Sequence, residues 1–178
     1  MAKQQLLLIG HGMVGQRYLE SLVAQGGREH FEITVLCAES LPAYDRVGLT
    51  SYFSGKTADD LSLVPEGFFA AHDITLKLNT KADAIDRGAR TVTTNTGETL
   101  SYDKLVLATG SYPFVPPIPG NDRDNCFVYR TIDDLDAMIA ASKDGKVGTV
   151  VGGGLLGLEA AKALHDLGLQ THVVEFAP

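Results

Sequence analysis

The stretch LLLIGHGMVG, residues 6–15, decides the fold of this chain. Its apolar start, Leu6–Ile9, is typical of a strand that is buried on both faces of a sheet. The glycines follow in the pattern G-x-G-x-x-G, and residues 14–25 then carry apolar side chains at helical spacing. A second strand, FEITVLCAE (31–39), comes next. The N-terminal segment therefore predicts strand, glycine turn, helix and strand.

The first glycine turn lies between a predicted buried strand and a predicted helix. This is the structural context in which the glycine pattern binds a dinucleotide. Gly10 permits the tight turn, Gly12 lets the backbone approach a pyrophosphate, and Gly15 lets the helix pack on the strand. The free N–H groups at the helix start, at Met13 and Val14, are candidates to bind the phosphates. The alternative is a turn that only joins a strand to a helix.

The stretch VVGGGLLGL, residues 150–158, repeats the pattern. The candidates in this second turn are its three patterned glycines and the first two residues of the following helix: Gly152, Gly154, Gly157, Leu155 and Leu156. Strands are expected on either side of that helix, at 146–151 and 171–175. Two such turns predict two dinucleotides, of which a tightly held flavin and a transient nicotinamide nucleotide are the simplest pair.

Each unit should end its second strand with a carboxylate that accepts hydrogen bonds from ribose hydroxyls. Glu39 is the candidate after the first turn, and Glu175 is the candidate after the second. A carboxylate at Glu175 favours a free ribose 2′-hydroxyl and repels a 2′-phosphate. We therefore expect the second site to prefer NADH to NADPH.

Composition and charge exclude several classes of function. The chain has 178 residues and a net charge of −7, which disfavours nucleic acids and anionic membranes as partners. No apolar stretch has the length of a membrane span, and Leu6–Ile9 is too short for a signal peptide. Cys37 and Cys126 form no pair motif, so a cytoplasmic location is expected. The histidines form no metal-ligand pattern, and no metal site is predicted.

The remaining elements predict an α/β protein with two domains. Strands are expected at 74–79, 82–87, 90–96 and 98–108. The last of these ends in the apolar run LVLATG, which is typical of a buried strand. The four prolines within 111–120 exclude a helix or central strand there and indicate a crossing between domains. Thr131 and Asp134 are expected to cap a helix that runs to about residue 142.

Four further stretches carry a resemblance to a known family: AYDRVGLTSYFSGK (43–56), YDKLVLATGSYPFVPPIPG (102–120), CFVYRTIDDLDA (126–137) and GGGLLGLEAA (152–161). With the first glycine turn, they are similar to the FAD-dependent pyridine-nucleotide oxidoreductases, and within these to the large subunits of bacterial NADH-dependent nitrite reductases. The resemblance covers essentially the whole chain. It implies a Rossmann-like FAD-binding domain at 1–115, with a parallel sheet and an antiparallel β meander, and the start of a second Rossmann-like domain for NAD(H) at 116–178.

The same resemblance implies further FAD-binding residues. Arg46 matches an arginine near the cofactor phosphates, and Ala82 matches a position whose backbone meets the adenine. Ala108, Thr109 and Gly110 match a segment where the chain passes close to the cofactor. From the residues alone, Arg46 reads as a solvated loop arginine and 108–110 as a simple strand end.

One position departs from the family pattern. Ferredoxin-reductase relatives often carry a lysine where this chain has Ser51, and that lysine pairs with a glutamate beside the flavin. Glu159 matches the glutamate and is included among the cofactor-binding candidates. The cation that would neutralise it is absent from this position.

The resemblance implies an enzyme that takes electrons from NADH through FAD and passes them to iron–sulfur and sirohaem centres, where nitrite is reduced to ammonia. Those centres would lie in a C-terminal part beyond this chain, so the chain reads as an inactive N-terminal piece that ends inside its NAD-binding unit. The expected partners are NADH, FAD, the nitrite-reducing module and a small subunit. No catalytic acid or base is predicted here, because hydride transfer to a flavin depends on stacking and alignment.

Two alternatives stay open at this point. An NADH-dependent ferredoxin or rubredoxin reductase would share every motif quoted above. A flavin-binding scaffold or sensor without turnover belongs to a different class and would also need the first glycine turn.

Overall fold

The computed structural model of the chain describes residues 2–176 and divides them into two compact units. The first unit contains the described residues up to Asp45 and the segment Ser62–Ser111. The second unit contains Arg46–Leu61 and the described residues from Tyr112 onward. The domains at 1–115 and 116–178 stay a prediction.

The described residues form short strands and helices, and five strands follow one another between α4 and α5. The strands are β1 (Gln4–Ile9), β2 (Phe31–Leu36), β3 (Ile74–Lys77), β4 (Ala82–Asp86), β5 (Thr91–Thr94), β6 (Thr99–Ser101), β7 (Lys104–Leu107), β8 (Val147–Val151) and β9 (Gln170–Val174). The helices are α1 (Met13–Ala24), α2 (Gly27–His30), α3 (Ala58–Leu61), α4 (Phe68–Ala71), α5 (Ile132–Ser142) and α6 (Leu155–Asp166).

A four-stranded parallel sheet with the order β3-β2-β1-β7 forms the centre of the first unit. Successive side chains of a strand point to opposite faces, so the apolar run of β1 contributes to two cores. Leu6 and Leu8 pack with Leu19 of α1 on one face. Leu7 and Ile9 pack with Val92 of β5 on the other. The unit therefore has three layers: helices, the parallel sheet and an antiparallel sheet.

The antiparallel sheet has the order β4-β5-β6 and covers one face of the parallel sheet. Val92 lies at its centre, paired with Ile85 of β4 and Leu100 of β6, and it is fully buried. The predicted α/β fold class, with a parallel sheet and an antiparallel meander, is confirmed.

The prediction of one strand over 98–108 is wrong in one respect, because the chain changes sheets within it. β6 belongs to the antiparallel sheet and β7 to the parallel sheet. At the change, the backbone N–H of Tyr102 still donates to the carbonyl of Arg90. The N–H of Asp103 already donates to the carbonyl of Gln5, 2.8 Å away. Two successive residues thus hydrogen-bond to different sheets.

β7 is also less buried than its apolar sequence predicts. Leu105 and Val106 are half-buried, and Leu107 is 59% exposed. The physical reason is its position at the edge of the four-stranded sheet, where it pairs with β1 alone among the described strands.

The second unit contains a parallel pair, β8 and β9, with α6 packed against it. Its helix α5 begins at a reciprocal capping box, as predicted: the Thr131 hydroxyl accepts from the N–H of Asp134, and the Asp134 carboxylate accepts from the N–H of Thr131. The second unit also contains a 3-10 helix at Leu49–Ser54.

The proline-rich segment 111–120 forms neither a helix nor a strand, as predicted. Tyr112 and Phe114 are more than four-fifths exposed there. Within residues 2–176, no helix combines the length and the apolar character that a membrane crossing requires.

Candidate functional site

The first glycine turn connects β1 to α1 in the first unit. Gly10 has a φ of +100°, a conformation that L side chains rarely adopt. A β-carbon at Gly10 would overlap the carbonyl of Ala108, and a β-carbon at Gly15 would overlap the carbonyl of Gly10. The N–H of Gly10 donates to the carbonyl of Leu36, which ties the turn to β2. The sequence pattern is thus required by the backbone at both glycines.

The helix that follows this turn presents its N-terminus without a side-chain cap. Gly12 lies at the N-cap in an extended conformation, and no side chain accepts from the first-turn N–H groups. Met13 and Val14, the first two helical residues, are 39% and 72% exposed. The partial positive charge of a helix N-terminus therefore faces accessible space at the predicted phosphate position.

Glu39 lies three residues beyond β2, where its main chain is still held by the segment after β3. Its carbonyl accepts from the N–H of Asn79 at 3.0 Å, and the N–H of Thr80 donates to the carbonyl of Cys37. The carboxylate is half-buried, and its Oε2 accepts a hydrogen bond of 2.6 Å from the hydroxyl of Tyr44. The structure places the predicted ribose acceptor at the carboxyl end of β2, the same sheet edge as the glycine turn.

His11, which lies inside the first glycine turn, contacts two other segments through its side chain. It is 4% exposed, its Nδ1 accepts from the N–H of Ala43 at 3.0 Å, and its Nε2 donates to Oε1 of Gln16 at 3.1 Å. Burial lowers the pKa of His11, and the hydrogen bond to Gln16 offsets part of this effect. The imidazole is therefore neutral and joins the turn to the loop after Glu39. A histidine inside a glycine turn is the only sequence signal for this role.

A cavity of about 330 Å³ lies at the same edge of the first unit. Its walls come from the end of β1 (Ile9), the end of β7 (Leu107 and Thr109) and residues 82–85 of β4. It therefore brings together Ala82 and Thr109, which the family resemblance assigns to one cofactor. Ala108 extends β7 by one residue, because its N–H donates to the carbonyl of Ile9.

The chain turns at Gly110, after this cavity. Gly110 has a φ of +68° and is exposed. A left-handed conformation at this point ends the extension of β7 and directs the chain towards the proline-rich segment. The three residues matched by the resemblance, 108–110, thus lie at the carboxyl end of the parallel sheet.

The second glycine turn repeats the backbone geometry of the first. Gly152 has a φ of +112°, and a β-carbon at Gly157 would overlap the carbonyl of Gly152. Gly154 is the N-cap of α6, again without a side-chain cap. Leu155 and Leu156 begin the helix and are 87% and 55% exposed. The two turns share a positive φ at the first glycine, an uncapped helix and a contact that excludes any side chain at the third glycine.

Glu175 extends its carboxylate over the second turn. Its Oε2 accepts from the N–H of Gly153 at 2.5 Å, and its Oε1 accepts from the N–H of Phe176 at 2.7 Å. A β-carbon at Gly153 would lie 3.2 Å from Glu175 Oε2, so a larger residue there would displace the carboxylate. The predicted ribose acceptor therefore lies at the turn, where it meets one backbone N–H of the glycine loop.

Arg46, Ser51 and Glu159 all belong to the second unit. Nη1 of Arg46 donates to the carbonyl of Arg130 at 3.0 Å. The hydroxyl of Ser51 donates to the carbonyl of Gly48 in its own loop.

Thr50 and Tyr129 lie close to Glu159 in the second unit. Thr50 Oγ1 lies 3.0 Å from the hydroxyl of Tyr129 and 3.4 Å from Oε2 of Glu159. Burial raises the pKa of Tyr129, and the charge of Glu159 acts in the same direction while the bond to Thr50 opposes it. Sequence reasoning missed Tyr129, since no motif connects it to Glu159.

The part of the chain that the structure describes contains no cluster of three or more histidine, cysteine or acidic side chains that could hold a metal. Cys37 is buried at 2% exposure, and its thiol donates to the carbonyl of Leu41. It therefore packs as a small core residue in the loop after β2.

Known proteins match the chain over its whole length. The model of the pyridine nucleotide-disulphide oxidoreductase family matches residues 4–178. The nitrite reductase (NAD(P)H) large subunit of Klebsiella oxytoca is 55% identical over 100% of this chain and 19% of that protein. The nitrite reductase (NADH) large subunit of Escherichia coli (strain K12) is 53% identical over 100% of this chain and 21% of that protein. The chain thus spans about a fifth of the length of these curated relatives.

A solved structure supports the same relationship. The water-forming NADH oxidase from Lactobacillus brevis, bound to NADH, matches with a TM-score of 0.84 and 28% identity, over 97% of this chain and 40% of that one. The sequence resemblance is therefore confirmed, and the chain belongs to the pyridine nucleotide-disulphide oxidoreductase family.

Proposed function

We propose that this chain is the FAD- and NADH-binding part of a nitrite reductase. Its first glycine turn holds FAD and its second holds NADH, and electrons leave for iron–sulfur and sirohaem centres outside this chain, where nitrite is reduced to ammonia. The observation that carries the proposal is the pair of equivalent glycine turns, each with a carboxylate after the next strand. The choice of nitrite rests on relatives with which the chain shares more than half of its residues.

The residues of the first turn fit FAD. At Gly12 the chain enters an uncapped helix, so backbone N–H groups meet a diphosphate where a side chain would obstruct it. The cavity wall formed by Ile9, Ala82 and Leu107 is apolar and suits the flat adenine ring. Glu39 is half-buried at the same sheet edge and supplies an acceptor for the ribose hydroxyls.

The residues of the second turn fit NADH by the same reasoning. The space beside Gly154 is empty to 4 Å around a built β-carbon, which leaves room for a pyrophosphate. Glu175 brings a negative charge to the turn, which attracts a ribose diol and repels a 2′-phosphate. The proposal therefore keeps NADH as the preferred coenzyme.

The remaining candidates have supporting roles in this proposal. Arg46 would neutralise cofactor phosphates through its planar guanidinium, and 108–110 would bring backbone close to the cofactor. Glu159, with Thr50 and Tyr129 beside it, would set a negative potential near the reacting ring in place of the ion pair of its relatives. When bound, FAD supplies the chemistry that side chains lack: it accepts a hydride and releases electrons one at a time.

The test uses the complete polypeptide that contains this chain. Its absorption spectrum should contain flavin and sirohaem bands, and nitrite should support NADH oxidation with ammonia as the product. A Gly154→Ala variant should retain the flavin bands and oxidise NADH more slowly at subsaturating NADH. Gly88→Ala, in an exposed turn of the first unit, is the matched control that should retain the flavin bands and the wild-type rate.

Each alternative outcome has a distinct meaning. Protein that is colourless in every preparation would contradict FAD binding. Flavin without NADH oxidation would favour a scaffold or sensor. NADH oxidation that needs rubredoxin or ferredoxin, and is not supported by nitrite, would favour the corresponding reductase.

A further inference from the structure

Tyr44 contacts the predicted ribose acceptor, although it belongs to no glycine motif. Its hydroxyl donates to Oε2 of Glu39 over 2.6 Å, and its side chain is buried, with the residue 4% exposed. A hydroxyl that donates to a carboxylate forms a short, charge-assisted hydrogen bond, which is stronger than a neutral one. We propose that Tyr44 is a positioning residue that holds the carboxylate of Glu39 ready for the adenosine ribose of FAD. This inference rests on the proposed function.

The backbone next to Tyr44 is fixed from two sides. The N–H of Ala43 donates to Nδ1 of His11 at 3.0 Å, and the carbonyl of Ala43 accepts from the N–H of Leu63 at 3.0 Å. Tyr44 itself forms an isolated antiparallel bridge with Ser62. Because Ala43 and His11 are 2% and 4% exposed, water does not compete for these bonds. The main chain that carries the Tyr44 ring therefore has little conformational freedom.

His11 links this loop to the phosphate-binding turn. Its Nδ1 accepts from an amide, so its proton lies on Nε2 and is donated to Gln16 of α1. Its ring also meets Phe69 edge to face, with centroids 5.3 Å apart. The buried imidazole of His11, which belongs to the glycine turn, thus holds the loop around Ala43 at a fixed distance from that turn.

Glu39 is consequently restrained at both ends. Its carbonyl is bound by the N–H of Asn79, and its carboxylate is bound by Tyr44. A free glutamate loses side-chain entropy when it captures a ligand, and a restrained one has lost that entropy on folding. The arrangement should therefore increase the affinity for the ribose diol and leave the binding of the rest of the cofactor unchanged.

The decisive experiment combines a side-chain change with a ligand change in the complete polypeptide. FAD is compared with an FAD analogue whose adenosine ribose lacks both hydroxyls, with dissociation constants measured by flavin fluorescence. In the wild type, FAD should bind more tightly than the analogue. In Tyr44→Phe, FAD should bind about tenfold more weakly, the equivalent of roughly 1.4 kcal/mol, and the analogue should bind as it does to the wild type.

Tyr52→Phe is the matched control, because Tyr52 also donates to a carboxylate, that of Asp136, at 2.8 Å in the second unit. This variant should bind both ligands as the wild type does. Wild-type protein that binds no FAD would contradict the proposed function itself. If Tyr44→Phe weakens the binding of both ligands equally, or leaves the ratio of their dissociation constants unchanged, the positioning role of Tyr44 is overturned. The proposal that the protein binds FAD would still stand.

Discussion

Replacement of Gly154 and Gly157 by alanine should separate binding from folding in the second glycine turn. Gly154 has a φ of −69°, and no atom lies within 4 Å of a β-carbon built there. Alanine fits this conformation and should stabilise the turn by about 0.4–1 kcal/mol through the unfolded state. Alanine is also a poorer N-cap than glycine, by several tenths of a kcal/mol. The two effects oppose each other, so we expect a change in stability of less than about 0.5 kcal/mol.

Gly157→Ala should behave in the opposite way. Its β-carbon would overlap the carbonyl of Gly152, which is backbone and cannot rotate away. The start of α6 must then move, and overpacking of this kind costs about 1–3 kcal/mol. Native-state hydrogen exchange of the amides in β8 and α6 measures this loss of local stability, without assuming that the whole protein unfolds in one step.

NADH binding completes the comparison. We expect Gly154→Ala to weaken the binding of NADH at least about tenfold, because the new methyl group enters the space proposed for the pyrophosphate. Isothermal titration of NADH measures this, and unchanged exchange rates show that the fold is intact. If Gly154→Ala binds NADH as tightly as the wild type, the coenzyme does not approach this turn, and the assignment of the second site is wrong.

Three further predictions follow from the contacts of named side chains. Because burial lowers the pKa of His11, the unfolded state binds a proton there more readily, so the free energy of unfolding should fall as the pH decreases through about 6.5. Urea titrations at several pH values should show that His11→Gln reduces this pH dependence, by at most about 1.4 kcal/mol per pH unit. Glu175→Ala should narrow the preference for NADH over NADPH about tenfold or more, measured as the ratio of the two dissociation constants; an unchanged ratio would contradict the ribose contact. Thr131→Ala should destabilise α5 by about 1 kcal/mol, seen as faster hydrogen exchange in its first turns, whereas Ser142→Ala at the other end should have little effect.

The two glycine turns could be predicted from the sequence because each depends on local backbone constraints. A positive φ at Gly10 and at Gly152, and the close contacts of Gly15 and Gly157, leave a pattern that no other residue type satisfies. The buried part of β1, Leu6–Ile9, could be predicted for a similar reason, since a run that is apolar at every position has two buried faces.

The parts that the sequence did not reveal depend on contacts between distant segments. The change from β6 to β7 is set by Tyr102 and Asp103, whose N–H groups donate to the distant carbonyls of Arg90 and Gln5. Likewise, the bond between Tyr44 and Glu39 lies beside a contact of Ala43 with His11, which is 32 residues away in the chain. Periodicity describes one element at a time and contains no information on which loops meet.

The division of the chain into units has a consequence for limited proteolysis. The segment Arg46–Leu61 packs within the second unit, yet it is joined covalently at both ends to the first. A protease that cuts once in the exposed segment 111–120 would therefore leave the two products associated under native conditions, held by the packing of Arg46–Leu61. They should separate only after denaturation.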